Sequence, residues 1–221
     1  MIADEDKIFV ITAPSGTGKT TLNRRLVEEL ADVEIAISLT TRELRDSETN
    51  GDHYWFVDQR EFQTNIDSGK MLEWAEVFGN YYGTNLDEVE RIQAAGKKVI
   101  LEIDVQGWNI SRKKIPNAQS IFIFPPSMKI LWGRLTERGT DSLAICKKRI
   151  ATAREELNHI HLYENYIINE NLDSAFGELK EILEGKLNSE EKKKAGVKHG
   201  KTLIDECNEA WYQELNCDAN V

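Results

Sequence analysis

A glycine-rich segment near the start of the chain has residue types and spacings that suit phosphate binding. Residues 13–20 read Ala-Pro-Ser-Gly-Thr-Gly-Lys-Thr and follow the apolar run Ile8–Ala13. Glycines at this spacing let the backbone curl until several N–H groups point at one anion, with the positive end of the next helix behind them. Lys19 can then reach β- and γ-phosphate oxygens, and the Thr20 hydroxyl can ligate Mg²⁺. The sequence therefore predicts a loop that holds a nucleoside triphosphate.

The match to the phosphate-loop pattern departs at one position, since Ala13 stands where the first glycine is usual, and a small residue still permits the turn. The candidate triphosphate-binding residues are Ala13, Pro14, Ser15, Gly16, Thr17, Gly18, Lys19, Thr20 and Thr21. Glycine-rich turns also occur without a nucleotide, but Gly-Lys-Thr between a strand and a helix is specific. The loop alone names no reaction, because ATPases, GTPases and many kinases share it.

The elements around this loop alternate between buried strands and helices. Short continuous apolar runs at Ile8–Ala13, Val99–Ile103 and Ser120–Phe124 are typical of strands buried on both faces of a parallel sheet. Helical spacing of leucines and isoleucines at Thr20–Leu30 and Ser127–Arg138 separates them. The alternation predicts an α/β fold with a parallel sheet flanked by helices.

Residues 38–96 interrupt the alternation. The segments 54–57 and 71–78 have the composition of strands, and glycine-containing turns link them, so we expect an inserted, partly β lobe. After residue 186 the charge pattern shifts, because residues 186–201 hold six lysines and two glutamates whereas residues 202–221 hold five acids and no base. This shift predicts a charged C-terminal tail over residues 187–221.

The overall composition limits the classes of function. The chain of 221 residues carries a net charge of −10, which disfavours binding to nucleic acid or to an anionic membrane surface. It has no apolar run near the roughly 20 residues that span a bilayer, and its three cysteines form no Cys-x-x-Cys pair. We therefore expect a cytoplasmic protein with reduced thiols, in which any anionic substrate is held by local positive charge.

Several further motifs lie downstream of the loop in a fixed order. They are the arginine-containing segment 38–45, the segment 50–57 with its tyrosine, the acid-containing segment 72–84, Leu101–Gly107, Pro125–Ser127, Arg134–Asp141 and Ile168–Asn169. Together with the loop, this series resembles the guanylate kinase family over residues 7 to 185. The resemblance implies a P-loop nucleoside monophosphate kinase fold, with a GMP-binding lobe at 38–96 and a helical lid at 127–158 around a core of 7–37, 97–126 and 159–186.

The resemblance also implies which residues bind the acceptor GMP, or dGMP less well. They are Ser38, Arg42, Arg45, Tyr54, Glu73, Tyr82, Thr84 and Asp104, with Thr84 standing where the family often has serine. Two arginine forks beside tyrosine hydroxyls suit a phosphate dianion. A carboxylate such as Glu73 can accept from both N1–H and the N2 amine of guanine, whereas adenine presents an acceptor at N1.

Arginines of the lid complete the catalytic residues that the resemblance implies. Together with Lys19 and Arg42 these are Arg134, Arg138 and Arg149, which would neutralise charge on the phosphoryl group as it leaves ATP. Asn169 resembles a family position near the adenine of ATP. Asp104 and Glu102 lie on one face at the end of a predicted strand, and the sequence leaves open which of them orients Mg²⁺.

The resemblance predicts an enzyme that transfers the γ-phosphoryl group of ATP to GMP. A rival interpretation is a non-catalytic, guanylate-kinase-like module that binds phosphopeptides, although the intact Lys19-Thr20 pair argues against it. A kinase for another phosphorylated acceptor would not explain Glu73.

The tail carries Ile204, Cys207, Trp211 and Leu215 at helical spacing, so we expect a helix there that packs on the core or on a second subunit, after a lysine-rich connector at Glu190–Lys201. The sequence does not predict the oligomeric state.

Overall fold

The computed structural model describes residues 2, 4–45, 48–77, 79–137, 141–186, 189–209, 211–212 and 215. The chain divides into two compact units. One unit is formed by Met1–Val10 and Val27–Gln119, and the other by Ile11–Leu26 and Ser120–Val221. Within the described residues, no helix combines the length and the apolar character needed to cross a bilayer.

The strands and helices alternate along much of the chain. The strands are β1 (Ile8–Thr12), β2 (Val33–Ile35), β3 (Leu39–Thr40), β4 (Trp55–Phe56), β5 (Met71–Val77), β6 (Asn80–Asn85), β7 (Lys98–Leu101), β8 (Gln119–Phe124) and β9 (Asn165–Ile168). The helices are α1 (Lys19–Glu29), α2 (Gln59–Asp67), α3 (Leu86–Ala94), α4 (Val105–Ser111), α5 (Met128–Glu137), α6 (Leu143–Leu157), α7 (Leu172–Leu183) and α8 (Glu190–Glu206), with 3-10 turns at Glu5–Lys7 and Ile160–Leu162.

The larger sheet has the strand order β2-β7-β1-β8-β9. In the first unit, β7 pairs in parallel with β2 and with β1, and Ile8, Phe9 and Val10 stand opposite Val99, Ile100 and Leu101. All five residues of β1 are buried, as a strand covered on both faces requires. The α/β fold with a parallel sheet is confirmed, and the observed strands match the predicted apolar runs to within about two residues.

The first unit also contains a smaller sheet with the order β4-β3-β6-β5. Here β3 runs parallel to β4, while β6 runs antiparallel to both β3 and β5. Two helices, α2 and α3, lie in the same stretch of sequence and were not predicted. Asp58 caps α2 by accepting a hydrogen bond from the Glu61 N–H, and Phe62 of that helix is fully buried against Leu39 and Met71.

The second unit is built on β8 and β9, which pair in parallel from Ile121 and Asn165 to Phe124 and Ile168. Helices α7 and α8 pack on β9, and α6 packs on both α5 and α8. Helix α1 buries Leu22 and Leu26, as its leucine spacing predicts, and α5 buries Leu131 and Leu135. This unit carries the phosphate loop and the helices with Arg134 and Arg149.

The C-terminal segment differs from the prediction in one respect. The lysine-rich stretch Glu190–Lys201, expected to be a connector, forms most of α8. The reason is close packing at two glycines, because Gly196 lies against Tyr166 and Gly200 lies against Ile160 and Phe124. A stretch without large apolar residues can therefore still dock on the core, since most of its lysines are exposed and its glycines let the helix backbone approach closely.

Candidate functional site

The phosphate loop in the second unit has the backbone shape that its glycines permit. Gly16 and Gly18 have φ angles of +91° and +105°, which side-chain-bearing residues rarely adopt. The Thr17 N–H donates to the Pro14 carbonyl at 3.1 Å, and the Leu22 N–H donates to the Gly18 carbonyl at 3.1 Å as α1 begins. The first N–H groups of a helix have no partner within it, and here they stand beside the curled loop, which is an arrangement suited to an anion.

Asn169 and Arg134 hold the loop from outside. The Asn169 side chain, only 4% exposed, donates to the Thr17 carbonyl at 2.7 Å. Arg134 donates to the same carbonyl at 3.3 Å and to the Asn169 carbonyl at 3.2 Å. A Cβ added at Gly18 would lie 2.6 Å from the Asn169 amide nitrogen, so this position leaves no space for a side chain. The structure thus brings a predicted lid arginine and Asn169 to the loop.

Arg149 reaches the loop from α6. It donates to the Ser15 hydroxyl at 2.7 Å, and it forms an ion pair with Asp141 at 3.1 Å. Asp141 ends the motif Arg134–Asp141 but was not among the predicted site residues, because an acid beside a turn gives no sign of which distant arginine it will face. Arg138, also predicted as a catalytic residue, lies outside the described residues.

Two adjacent residues at the start of α1 have the chemistry for metal and phosphate. Lys19 is half-buried and Thr20 is exposed, so the Thr20 hydroxyl is accessible at the positive end of the helix. Hydroxyl oxygen is a ligand type that Mg²⁺ accepts, and this ion commonly completes its shell with phosphate oxygens and water. The donor set at Thr20 therefore fits Mg²⁺ bound together with a triphosphate. Thr21 is also exposed.

In the first unit, Arg42 forms a two-pronged ion pair with Glu48. Its Nη1 and Nη2 atoms lie 2.9 Å and 2.8 Å from the two Glu48 oxygens, and both side chains are mostly buried. The Arg45 N–H donates to the same carboxylate at 3.0 Å, while the Arg45 side chain is exposed. Arg42 lowers the pKa of Glu48 to about 2, chiefly through these hydrogen bonds. Sequence reasoning missed Glu48, because an acid in a turn gives no sign of the arginine that it will face.

The two predicted tyrosines stand beside this ion pair. Tyr54 and Tyr82 meet edge to face with ring centroids 5.8 Å apart. The Arg42 guanidinium lies 5.7 Å from the Tyr54 ring centroid, within range of a cation–π contact. Burial raises the pKa of the Tyr54 hydroxyl, and the neighbouring Tyr82 adds to this effect. Arg42, Tyr54 and Tyr82 are therefore gathered in one cluster, with hydroxyl and guanidinium donors close together.

Glu73 is a buried carboxylate on β5. It faces Thr84 across the β5–β6 pair, and the Thr84 hydroxyl donates to it at 2.8 Å. Glu73 is 7% exposed and Thr84 is 1% exposed. Burial raises the pKa of Glu73, the Thr84 hydrogen bond opposes that rise, and the charge of Asp104 adds to it. A Cβ at Gly107 would lie only 3.1 Å from the second Glu73 oxygen, so the glycine leaves space for a ligand beside this oxygen.

Asp104 and Ser38, two further predicted GMP-binding residues, each accept a hydrogen bond from a backbone N–H group. Asp104 caps α4 by accepting a hydrogen bond of 2.7 Å from the Gly107 N–H, and its side chain is exposed. The Ser38 carbonyl accepts from the Trp55 N–H at 2.9 Å, and the residue is half-buried. Because one oxygen of Asp104 is used in the cap, its other oxygen is the one left for a ligand.

Comparison with known proteins gives one consistent family. A family model described as guanylate kinase matches residues 5–186. The guanylate kinase of Neisseria gonorrhoeae is 46% identical over 176 residues, which covers 80% of this chain and 86% of that relative. The guanylate kinase of Alcanivorax borkumensis is 43% identical over 185 residues, covering 84% and 89%. The crystal structure of guanylate kinase from Anaplasma phagocytophilum superposes with a TM-score of 0.63 at 30% identity, over 84% of this chain and 88% of that one.

Proposed function

We propose that this chain, which belongs to the guanylate kinase family, transfers the γ-phosphoryl group of ATP to GMP and releases ADP and GDP. The observation that carries the proposal is the buried Glu73 carboxylate with its Thr84 hydrogen bond. Burying a carboxylate is costly, and a ligand that presents two adjacent N–H donors to it offsets that cost. Guanine presents such a pair at N1 and N2.

The donor ATP binds in the second unit in this proposal. The backbone N–H groups of Ser15, Gly16 and Gly18 and the N-terminus of α1 would hold the phosphates, and Lys19 would contact the β- and γ-phosphates. Thr20 would ligate Mg²⁺, which supplies charge neutralisation on those phosphates when it is bound. Thr21 follows Thr20 on α1 and would contribute to the same triphosphate site. Asn169 lies at the end of β9 near the adenine.

The acceptor phosphate binds in the first unit. Arg42 and Arg45 provide guanidinium donors, and Tyr54 and Tyr82 provide hydroxyl donors. Glu48 occupies two of the donor groups of Arg42, so it fixes the direction in which the remaining N–H groups point. The proposed clamp therefore depends on an acid that itself does not touch the substrate.

The guanine base is held beside this clamp. Glu73 accepts from N1–H and the N2 amine, Thr84 and Ser38 contribute hydroxyl groups, and Asp104 lies within reach of the same base. Adenine would set its N1 acceptor against the Glu73 carboxylate, and polar mismatches of this kind discriminate by ~10⁴-fold or more. The proposal therefore includes selectivity for GMP and dGMP over AMP, CMP and UMP.

Chemistry in this proposal consists of positioning and charge neutralisation. The attacking oxygen of the GMP phosphate already carries charge near neutral pH, so no general base is required. Arg134, Arg138 and Arg149 stabilise the phosphoryl group in transit, and such arginines are worth ~10³ to 10⁵ in rate. The protein is cytoplasmic in this proposal, and its chain is divided into a core, a GMP-binding lobe, a lid and a tail.

Steady-state assay of the purified chain with ATP and each nucleoside monophosphate tests the proposal. GMP should be phosphorylated efficiently, dGMP less so and AMP poorly. A protein that binds GMP without turning it over would instead support the non-catalytic phosphopeptide module. Equal turnover of AMP and GMP would contradict the role given to Glu73.

A further inference from the structure

Helix α8 lies beyond the residues 5–186 matched by the family model, yet it contacts the segment that leads into α5. The His199 ring nitrogen Nε2 lies 2.9 Å from the Pro125 carbonyl and donates to it, because a proline carbonyl can only accept. The Glu206 carboxylate accepts a hydrogen bond of 2.7 Å from the Met128 N–H. Both ends of the short turn between β8 and α5 are thus held by α8.

The Glu206 contact lies at a place where a negative charge is favourable. Met128 is the first residue of α5, and the first N–H groups of a helix have no partner within it. The Ser127 hydroxyl takes the Ile130 N–H at 3.0 Å, and Glu206 takes the Met128 N–H. A carboxylate at this end also interacts favourably with the helix dipole, so Glu206 fixes the position of the α5 N-terminus.

Helix α8 is itself firmly placed, so it can serve as a fixed support. A Cβ added at Gly196 would overlap the side chain of Tyr166, with its Cδ2 at 2.7 Å, and a Cβ at Gly200 would lie 3.2 Å from Phe124 Cε1. His199 also meets Phe124 edge to face, with centroids 5.5 Å apart. Leu203, one turn before Glu206, is fully buried. The helix therefore docks closely on the end of β8.

Helix α5 transmits its position to the phosphate loop. Arg134, six residues after Met128 and so about 9 Å along the axis, bonds the Thr17 carbonyl. Its neighbour Leu135 packs where a Cβ on Gly16 would lie, only 3.0 Å away. A shift of the α5 N-terminus would thus displace both the arginine and the apolar support of the loop, and a displacement of about 1 Å is enough to impair an active site.

We propose that Glu206 and His199 are positioning residues for the triphosphate, which act through α5 on Arg134 and the phosphate loop. This inference rests on the proposed function. Glu206 matters more than His199, because it bonds α5 directly and carries the charge that the helix N-terminus favours. Neither residue touches the substrate.

The test compares Glu206→Ala and Glu206→Gln in the full chain, with Asp205→Ala as the matched control. Asp205 is exposed on the same helix, so its removal changes the net charge equally without touching α5. We expect Glu206→Ala to raise the KM for ATP and the Kd for Mg²⁺-ADP by about 3-fold or more, with an upper limit of about 30-fold that is reached when the whole free energy of a helix cap is coupled to nucleotide binding. The KM for GMP should stay within about twofold, and Glu206→Gln, which keeps an acceptor oxygen, should recover part of the loss.

A residue that only stabilises the fold would change the melting temperature and not the constants for ATP and ADP. If Glu206→Ala lowers the melting temperature but leaves the KM for ATP and the Kd for ADP unchanged in the folded protein, the inference is wrong. It is also wrong if Asp205→Ala has the same effect, or if the constants for ATP and GMP change equally. Should Glu206→Ala fail to fold, Glu206→Gln against Asp205→Asn decides the question, with a smaller expected rise. Calorimetry with ADP needs no turnover, so it separates failure of this inference from failure of the proposed function.

Discussion

The Thr84 hydroxyl donates a 2.8 Å hydrogen bond to the Glu73 carboxylate across two antiparallel strands, at a position where both side chains are buried. The hydroxyl favours the ionised acid, whereas burial favours the protonated acid and prevails, so the pKa of Glu73 is raised. An acceptor for two guanine donors has to be ionised. The proposed base site therefore depends on pH in a defined direction.

We expect GMP affinity to fall as the pH is lowered through the raised pKa of Glu73, because each bound proton removes the carboxylate that guanine requires. Calorimetric titration with GMP between pH 5 and pH 8 measures this dependence. The GMP phosphate itself titrates near pH 6, so Glu73→Gln, which meets the same phosphate, is the control. An identical pH dependence in both proteins would contradict the assignment of Glu73 to the base.

Replacement of Glu73 by Ala should reduce kcat/KM for GMP by ~10²- to 10⁴-fold, since two hydrogen bonds to a charged group are lost. Thr84→Ser keeps the hydroxyl and should retain most of the activity, while Thr84→Val should weaken the binding of GMP. A misfolded fraction lowers kcat, whereas a weakened base site raises the KM for GMP. Both constants, measured at saturating ATP for each variant, therefore separate this loss from misfolding. Loss of activity toward GMP with full retention of GMP binding would place Glu73 outside the base site.

Sequence reasoning predicted the phosphate loop because that motif is local, whereas the candidate acceptor residues follow from the resemblance to a family. Ser15, Gly18 and Lys19 are neighbours in the chain, and the glycine spacing fixes the backbone shape they share. Glu48 and Asp141 were missed because their role depends on which arginine they meet, and that choice is made by the fold and not by spacing. A carboxylate in a turn looks the same whether it is solvated or bonded to Arg42.

The helices that sequence reasoning missed have a related explanation. Helix α2 has Phe62 as its buried residue, so its apolar face was too narrow to stand out. The sequence predicts a connector over Glu190–Lys201, where the structure has most of α8, because a helix that docks through glycines has no apolar stripe there. Gly196 and Gly200 are spaced by four residues and lie on one face, and this spacing was the available signal.

The ion pair of Arg42 and Glu48 predicts acid sensitivity of stability. The folded pKa of Glu48 is about 2, below its ordinary value of 4.5, so the pair stabilises the fold above pH 4.5 and the benefit is lost as the pH falls toward 2. Glu48→Gln should lower the melting temperature near pH 7, and the difference from the unmodified protein should shrink as the pH falls below about 5. Thermal denaturation over this range measures it. A difference that stays constant down to pH 3 would show that Glu48 does not act through its charge.

The proposed sites for ATP and GMP use different residues, so they should respond separately to substitution. Lys19→Ala should lower kcat by ~10²-fold or more while the Kd for GMP stays within about twofold. Arg42→Ala should weaken the binding of GMP, while the binding of ADP is retained. Calorimetry of both variants with both nucleotides gives the four constants. If Lys19→Ala weakens GMP as much as Arg42→Ala does, the assignment of the two sites is wrong.

The docking of α8 predicts opposite effects for two glycine-to-alanine substitutions in helices. Alanine favours a helix over glycine by about 1 kcal/mol, so the outcome depends on the space around the new methyl group. At Gly177, on α7, nothing lies within 4 Å of an added Cβ, and we expect Gly177→Ala to raise the free energy of unfolding by about 0.5 to 1 kcal/mol.

At Gly196 the added methyl would overlap the Cβ and Cγ atoms of Tyr166 and lie 2.7 Å from its Cδ2, so overpacking should outweigh the helical gain and cost about 1 to 3 kcal/mol. Urea denaturation of the two variants beside the unmodified protein measures both signs in one experiment. Because Gly177 and Gly196 differ in surroundings and not in the substitution made, helix propensity cancels from the comparison. If Gly196→Ala is as stabilising as Gly177→Ala, α8 is not docked on β9 in solution. In that case its contacts with Pro125 and Met128 would not support the positioning role given to Glu206 and His199.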